Sequence, residues 1–364
     1  MRLGLFMMPL HPPGKPVAEA YEEDLQLLVH ADRLGLDEAW VGEHFTSVWE
    51  NIPAPDLLIA KALGLTRRLV LGTGVALLPF HDPVVLAHRV AVLDHLARGR
   101  FAFGIGSGGV PTDFELFGID PRSGQQRAMT REAIEVITGL WRAEGPFAYE
   151  GRFFRVRTPE PRPDMGLGVW LRPYQRPHPP IAVAGSSRES ETLELAGEHG
   201  WTPMSINFLP PSVLPQHWAA VEKGAARSGQ RPSRRAWRIA RDVYVAETSA
   251  QARRDALEGA LRRDFEEYFR TLIARGLRGL AVFKEDLGLP DEAVTPEYLL
   301  ERVWIVGDPQ EVAAKLRALY ETVGGFGTLL VICHDWEPPE RGLRSLELLT
   351  REVLPRLADL EPPS

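Results

Sequence analysis

Glu38-Ala39-Trp40-Val41-Gly42-Glu43-His44-Phe45 is a short apolar run that ends on a glycine, a carboxylate and a histidine. It follows an amphipathic stretch stopped by Gly35 and precedes the break Pro53-Ala54-Pro55. A continuous apolar run of this length suits a strand buried on both faces, as strands of parallel sheets are. His44 then stands at the C-terminal end of its strand, where βα architectures keep their chemistry. The fold follows if the rest of the chain keeps the same rhythm.

It does. Working outward, Leu3-Met8 is followed by a helix from about Ala18 to Leu34, and Ala39-Gly42 by a helix around Asp56-Leu65. Leu69-Ala76 precedes Val84-Leu96, and Phe101-Ile105 precedes a helix from Gln125 to Trp141. After a long stretch with seven prolines from Thr158 to Pro180, the alternation resumes with Ile181-Ala184 and a helix to His199. Trp201-Ile206 leads to a helix from Ser212 to Arg227, and Ile239-Val245 to a long helix from Ala250 to Arg275. Beyond the irregular Lys284-Thr295 and a short helix at Glu311-Tyr320 lies the last pair, Thr328-Cys333 and Gly342-Leu357. Eight strand-plus-helix units close most naturally as a (β/α)8 barrel of the TIM type, and an open doubly wound sheet is the alternative. The expected organisation is one domain over residues 1–364, with insertions at about 144–180 and 284–303 at the C-terminal mouth.

Composition bounds the function. At 364 residues and 44% hydrophobic content the chain can bury a large core. Its charges are scattered, with a formal net charge of -7 and no basic block to track a phosphate backbone, so nucleic acid is not an expected partner. Cys333 is the only cysteine, which excludes an intrachain disulfide and a cysteine metal cluster and suits a reducing, cytoplasmic compartment. The N-terminus reads as a buried strand, and no apolar stretch approaches the roughly 20 residues that cross a bilayer, so no membrane partner is expected.

Several motifs carry chemistry. Gly104-Ile105-Gly106-Ser107-Gly108-Gly109 satisfies the dinucleotide fingerprint by letter. It lacks the helix that should open at the third glycine, with Val110-Pro111-Thr112-Asp113 intervening and the helix expected only near Gln125. A glycine-rich βα loop that lets backbone approach a flat or phosphorylated ligand is the better reading. Leu71-Gly72-Thr73-Gly74-Val75 is a second such place, although a bulge at a barrel rim would also explain it. Ala184-Gly185-Ser186-Ser187-Arg188-Glu189 opens a helix with the Ser186/Glu189 spacing of a capping box, and a hydroxyl-rich helix N-terminus also suits an anion. Among ten histidines, His44 and His334 end strands, His11 and His81 follow strands, and His30, His88, His95, His199 and His217 sit on helices where solvated or half-buried faces are the default. No metal-binding spacing such as H-E-x-x-H occurs. Cys333 and His334 are neighbours on one strand and point to opposite faces, which argues against a thiol dyad.

Together, Leu3-Gly4-Leu5-Phe6-Met7-Met8-Pro9, the run from Ala39 to Phe45, Leu71-Val75, Arg100-Gly106, Ala184-Ser187 and Gly307-Asp308-Pro309 resemble the bacterial luciferase-like flavin monooxygenases, in order and spacing from Met1 to about Leu357. The resemblance is strongest to the limonene- and alkanal-oxidising branches. It implies a (β/α)8 barrel that takes FMN, supplied reduced by a separate flavin reductase, and uses O2 to oxygenate a small apolar substrate. It further implies a homodimer, and a non-prolyl cis peptide at Gly74-Val75 behind the flavin ring. On this reading His44 is the catalytic histidine, and Thr73, Gly74, Val75, Gly106, Ser107, Gly185, Ser186 and Ser187 hold the cofactor. Arg127 would supply the cation that luciferases place at Ser107. His334, Met8, Trp49 and Phe208 would line the substrate pocket, with Thr158-Pro180 and Lys284-Thr295 as lids. Phe45 stands where luciferases have a second histidine, so light emission is not expected. Two alternatives keep the barrel: hydride transfer with the deazaflavin F420, and a flavin-binding protein without turnover.

Overall fold

The computed structural model describes residues 1–275 and 279–362. Its centre is eight parallel strands: β1 (Arg2–Leu10), β2 (Glu38–Val41), β3 (Val70–Thr73), β4 (Phe101–Gly106), β5 (Ile181–Gly185), β6 (Thr202–Ser205), β7 (Arg238–Arg241) and β8 (Thr328–His334). Neighbouring strands pair in the order β3-β2-β1-β8-β7-β6-β5-β4. The ring closes because β3 also pairs with β4, through Leu71 with Phe101 and Gly72 with Ala102. The result is a closed (β/α)8 barrel with helices around it, and each expected strand is present.

Most of the expected helices also form. They include α1 (Val17–Leu34), stopped by Gly35 in a left-handed conformation, α2 (Pro55–Leu65), α3 (Pro83–Ala97) and α4 (Gln125–Arg142). Each of α2 and α3 begins with a proline in its first turn, where the missing N–H costs no hydrogen bond.

The structure departs from the sequence reading in four places. The seventh apolar run is split at Asp242. Arg238–Arg241 stays in the barrel, while Val243–Val245 leaves it to pair with Ile305–Gly307. The long helix expected from Ala250 to Arg275 breaks at Gly259, whose φ of -121° and ψ of -145° are not helical, and then widens into a π turn at Phe265–Phe269. A six-residue helix, Pro111–Leu116, forms where a loop was expected, and it is too short for periodicity to reveal. Finally, the proline-rich insertion lies between α4 and β5. It is tied to the opposite end of the barrel by Gln175, which donates to Asp94 Oδ2 at 2.8 Å and to the Phe101 carbonyl at the start of β4 at 2.8 Å. Trp170 within it is 76% exposed. That insertion therefore does not cover the mouth. The 284–303 segment follows a βα connection and does border it, where Arg188 donates to the Lys284 carbonyl.

The barrel interior is filled from β2. The Trp40 indole packs where a Cβ on Gly72 would come within 2.5 Å of it, and a Cβ on Gly104 within 3.3 Å. These two glycines are needed for packing. Below Trp40, its Nε1 donates to Glu38 Oε1 at 2.9 Å, and Arg238 from the far side of the barrel clamps Glu38 through Nε and Nη2, both at 3.0 Å. Both partners are largely buried. Removing one partner of such a pair leaves an uncompensated charge in low dielectric and costs about 3–5 kcal/mol. Arg238→Ala should therefore lose stability of that order in urea denaturation, and a loss near zero would show that the clamp does not hold the barrel floor.

Candidate active site

A cavity of about 1630 Å³ opens at the C-terminal mouth and continues as a groove past Arg142 and His178 to Thr202 at the start of β6. Its floor includes Gly74, Val75 and Gly106, which present backbone to it. The Gly74–Val75 peptide is cis. Immediately past it, Ala76–Leu77 pairs with the end of β4. One wall is apolar, with Phe6, Met8, Phe208 and Phe269. The opposite end is polar, with Ser107, Arg127, Thr130, Ser186 and Ser187.

His44 borders this cavity with its ring between two carboxylates. Nδ1 is 3.0 Å from Asp113 Oδ2, and Nε2 is 3.5 Å from Glu50 Oε2. Asp113 comes from the short helix Pro111–Leu116 and is completely buried. The backbone N–H groups of Phe45 and Thr46 donate to its other oxygen at 3.1 and 2.9 Å, and the Thr46 hydroxyl does so at 2.6 Å. Burial by itself would raise the Asp113 pKa, but these hydrogen bonds, led by the one from His44, hold it below the ordinary carboxylate value. For His44 burial by itself would lower the pKa. The Glu50 and Asp113 carboxylates outweigh it and hold the ring above the usual imidazole value. Glu50, buried beside them, is pushed up mainly by desolvation.

Sequence reading missed Asp113, Glu50 and Tyr268, whose hydroxyl donates to Glu50 Oε2 at 2.5 Å. It also missed His217. That ring is fully buried, with Nε2 donating to the Ser187 carbonyl at 2.7 Å and Nδ1 accepting from Ser205 at 2.8 Å. Burial drops its pKa to about 4, so it is a neutral brace beneath the Ser186-Ser187 turn. A histidine on an amphipathic helix carries no mark of this role. The usable signal was the small residue Ser205 ending β6 opposite it.

The structure brings most of the expected residues together. His44, Met8, Phe208, Gly74, Val75, Gly106, Ser107, Arg127, Ser186 and Ser187 all line the cavity. Thr73 is buried and donates to the Gly104 carbonyl at 2.7 Å. At Gly185 a Cβ would sit 2.6 Å from Leu193, so that glycine serves packing. Trp49 stacks on Tyr268 with ring centroids 5.5 Å apart, behind the lining. His334 does not face the cavity: Nδ1 is 2.7 Å from Asp264 and Nε2 2.9 Å from Asp242, so both nitrogens are committed to carboxylates. The capping box expected at Ser186 is also displaced. The helix starts at Glu191 with Ser190 as its cap, and the Ser187 hydroxyl donates to the Glu189 carbonyl at 2.6 Å. His11 and His81 pair with carboxylates too, His11 with Asp335 at 2.9 Å and His81 with Glu43 at 2.9 Å. His11, Glu23 and Asp335 are close enough to share an ion, but the Lys15 ammonium already lies among them, 2.7 Å from Asp335.

The donor set suits a flat, phosphorylated ring system. Bare backbone at Gly74 and Gly106 admits a planar group, and hydroxyls of Ser107, Thr130 and Ser186 with the Arg127 guanidinium can receive an anion. Arg127 also pairs with Glu191 at 3.0 Å, so its charge is shared.

Known proteins match the whole chain. The family model described as luciferase-like monooxygenase matches residues 1–325. The chain is 32% identical to 3,6-diketocamphane 1,6-monooxygenase of Pseudomonas putida, over 98% of each protein. It is 33% identical to limonene 1,2-monooxygenase of Rhodococcus erythropolis, over 99% of this chain and 87% of that one. Among solved structures, the oxygenating constituent of the Pseudomonas putida 3,6-diketocamphane monooxygenase, a type II Baeyer-Villiger monooxygenase in complex with FMN, superposes with a TM-score of 0.91 at 32% identity, over 100% of this chain and 99% of that one.

The buried His334 sets a stability profile apart from any ligand. Burial opposes its charge, but Asp242 and Asp264 raise its pKa from 6.5 to about 9. The folded state therefore holds this proton more tightly than the unfolded chain. The resulting stability is complete below pH ~6.5 and is lost as pH rises through about 9. Thermal unfolding of the wild type should show Tm falling across that window. His334→Gln should be less stable at pH 6 and show a flatter fall, and an equal slope in both proteins would exclude the assignment.

Proposed function

The chain belongs to the luciferase-like monooxygenase family, and from that premise we propose that it is the oxygenase component of a two-component system, using reduced FMN and O2 to oxygenate a small apolar substrate. Bound reduced FMN supplies the two electrons that split O2, one oxygen atom entering the substrate and the other leaving as water. The observation that carries the proposal is the cavity itself, in which bare peptide at Gly74–Val75 and Gly106 lies between an anion-receiving end and the His44 ring. Gly74, Val75 and Gly106 would carry the flavin ring, and Ser107, Thr130, Ser186 and Arg127 its phosphate.

The chain's own groups have clear tasks in this reading. His44 holds or releases a proton at the mouth, with Asp113 fixing its Nδ1 hydrogen and ring orientation. Phe208 packs edge-to-face on Phe269 and Phe283, with centroids 5.5 Å apart in each pair, and forms a dry wall for an apolar substrate. The diketocamphane enzyme is an oxygenating constituent, which supports a separate flavin reductase as partner here. Among the described residues no helix is long and apolar enough to cross a membrane, and we place the reaction in the cytoplasm, where reduced flavin can be supplied.

We also propose a homodimer. Leu57 and Leu65 on α2, and Val85, Val92 and Leu96 on the adjacent α3, are exposed large apolar side chains. A second copy of this surface is the occupant that suits them, because a two-fold contact matches an apolar patch to itself. Leu96→Glu should convert a dimer to a monomer in light scattering, and a monomeric wild type would exclude it.

Anaerobic mixing followed by an O2 pulse tests the reaction. The purified protein with reduced FMN should take up O2 and oxygenate an apolar terpenoid. Reduction of F420 by an alcohol, without O2 uptake, would instead establish hydride transfer. His44→Ala should lower kcat by about 10²-fold or more while FMN binding changes little. FMN bound without any turnover would point to a carrier or sensor.

A further inference from the structure

Both nitrogens of His44 face carboxylates, but only one contact is tight. Nδ1 keeps its hydrogen for Asp113 at 3.0 Å. Nε2 lies 3.5 Å from Glu50 Oε2, beyond ordinary hydrogen-bond length. Glu50 borders the cavity and is only 2% exposed. Its Oε2 accepts from the Tyr268 hydroxyl at 2.5 Å, and the Tyr268 hydroxyl oxygen lies 2.9 Å from Ser47 Oγ. Its Oε1 is buried and has no hydrogen-bond partner among the described residues. A buried carboxyl oxygen left without a partner costs free energy, and beside a cavity a bound molecule is the group that can complete it.

We propose that Glu50 is a catalytic residue, which shares one proton with His44 and passes it through Oε1 to an oxygen atom of the molecule bound in the cavity. This rests on the oxygenase reading above. The transfer moves one proton and no electrons. The hydrogen on His44 Nε2 goes to Glu50 Oε2, a half-turn of the neutral carboxyl about its Cγ–Cδ bond carries the O–H to the Oε1 position, and the O–H there protonates the ligand oxygen. His44 is left neutral with its remaining hydrogen on Nδ1, and Glu50 is left ionised. In oxygenation one atom of O2 leaves as water, so protons must reach it where bulk water is excluded, and a carboxyl against the cavity is placed to deliver them. The surroundings keep the proton on the pair: Glu43, Glu50 and Asp113 face His44, and Tyr268 closes the far side of Glu50.

The test uses Glu50→Gln, which keeps the shape and removes the charge. In the flavin-free protein, ¹⁵N NMR titration should show the His44 pKa falling by at least about one unit, since an opposite charge has been removed. With reduced FMN, O2 and an apolar substrate, kcat should fall at least about tenfold, with KM and FMN affinity within about twofold. Glu50→Asp, a carboxyl one methylene shorter, should restore part of both. It decides the matter by the same two readouts if the Gln variant does not fold. An unchanged His44 titration, or an unchanged kcat beside a shifted titration, would overturn the proposal. If the wild type takes up no O2 with reduced FMN, the oxygenase reading fails, and the NMR titration alone decides whether His44 and Glu50 share a proton.

Discussion

The Trp40 indole inside the barrel is the contact on which the rest depends. It occupies the space beside β3, where a Cβ on Gly72 would come within 2.5 Å of the indole and one on Gly74 within 2.7 Å of the Trp40 Cβ, while at Gly104 the Thr73 carbonyl leaves no room for a side chain. The same indole is anchored below by Glu38, which Arg238 holds from the opposite wall. One bulky residue on β2 thus dictates two glycines, Gly72 on β3 and Gly74 just past its end. Gly74 and Gly106 line the cavity at the mouth, and a Cβ at either would clash, with Trp40 at Gly74 and with Val75 at Gly106. The floor that suits a flat cofactor extends a packing solution that starts two residues earlier in each run.

Above that layer, position is set by charge. His44, His81, His334 and His11 each meet at least one carboxylate, and none of these contacts joins residues on the same strand. Charge-assisted hydrogen bonds at this end hold side chains that would otherwise ride on loops. They also divide the histidines into two kinds. His334 has both nitrogens held at 2.9 Å or less, whereas His44 has one firm contact, to Asp113, and one long one, to Glu50. Equivalent positions at strand ends therefore lead to different surroundings, both nitrogens committed on β8 and one held loosely after β2.

The π turn at Phe265–Phe269 links the two kinds. Asp264 just before it holds His334, Tyr268 within it holds Glu50, and Phe269 at its end forms part of the cavity wall. A regular helix would keep Asp264 and Tyr268 on one face, four residues apart, but would turn Phe269 about 100° away from Tyr268. Gly259 allows the preceding break, so a segment that reads as one long helix instead acts as a bracket between the mouth and the eighth strand.

By itself the sequence determined the barrel, because strand and helix periodicity are local and each apolar run names its own strand. It also determined which residues end those strands, and so placed His44, Gly74, Gly106 and Ser186 at the mouth. The glycines were legible as a class, but not what each makes room for: Trp40 at Gly72 and Gly74, the Thr73 carbonyl at Gly104 and the Val75 side chain at Gly106. Only the tertiary structure decided what His44 touches. Asp113 lies 69 positions away in a helix too short to show a period, and Glu50 meets Tyr268 across 218 positions through a turn that breaks helical spacing. Likewise His334 looked like His44 until both of its nitrogens were found on carboxylates from other elements. Hydrogen bonds between distant segments leave no periodic trace in the chain, since they depend on where closure of the barrel brings the ends of its strands.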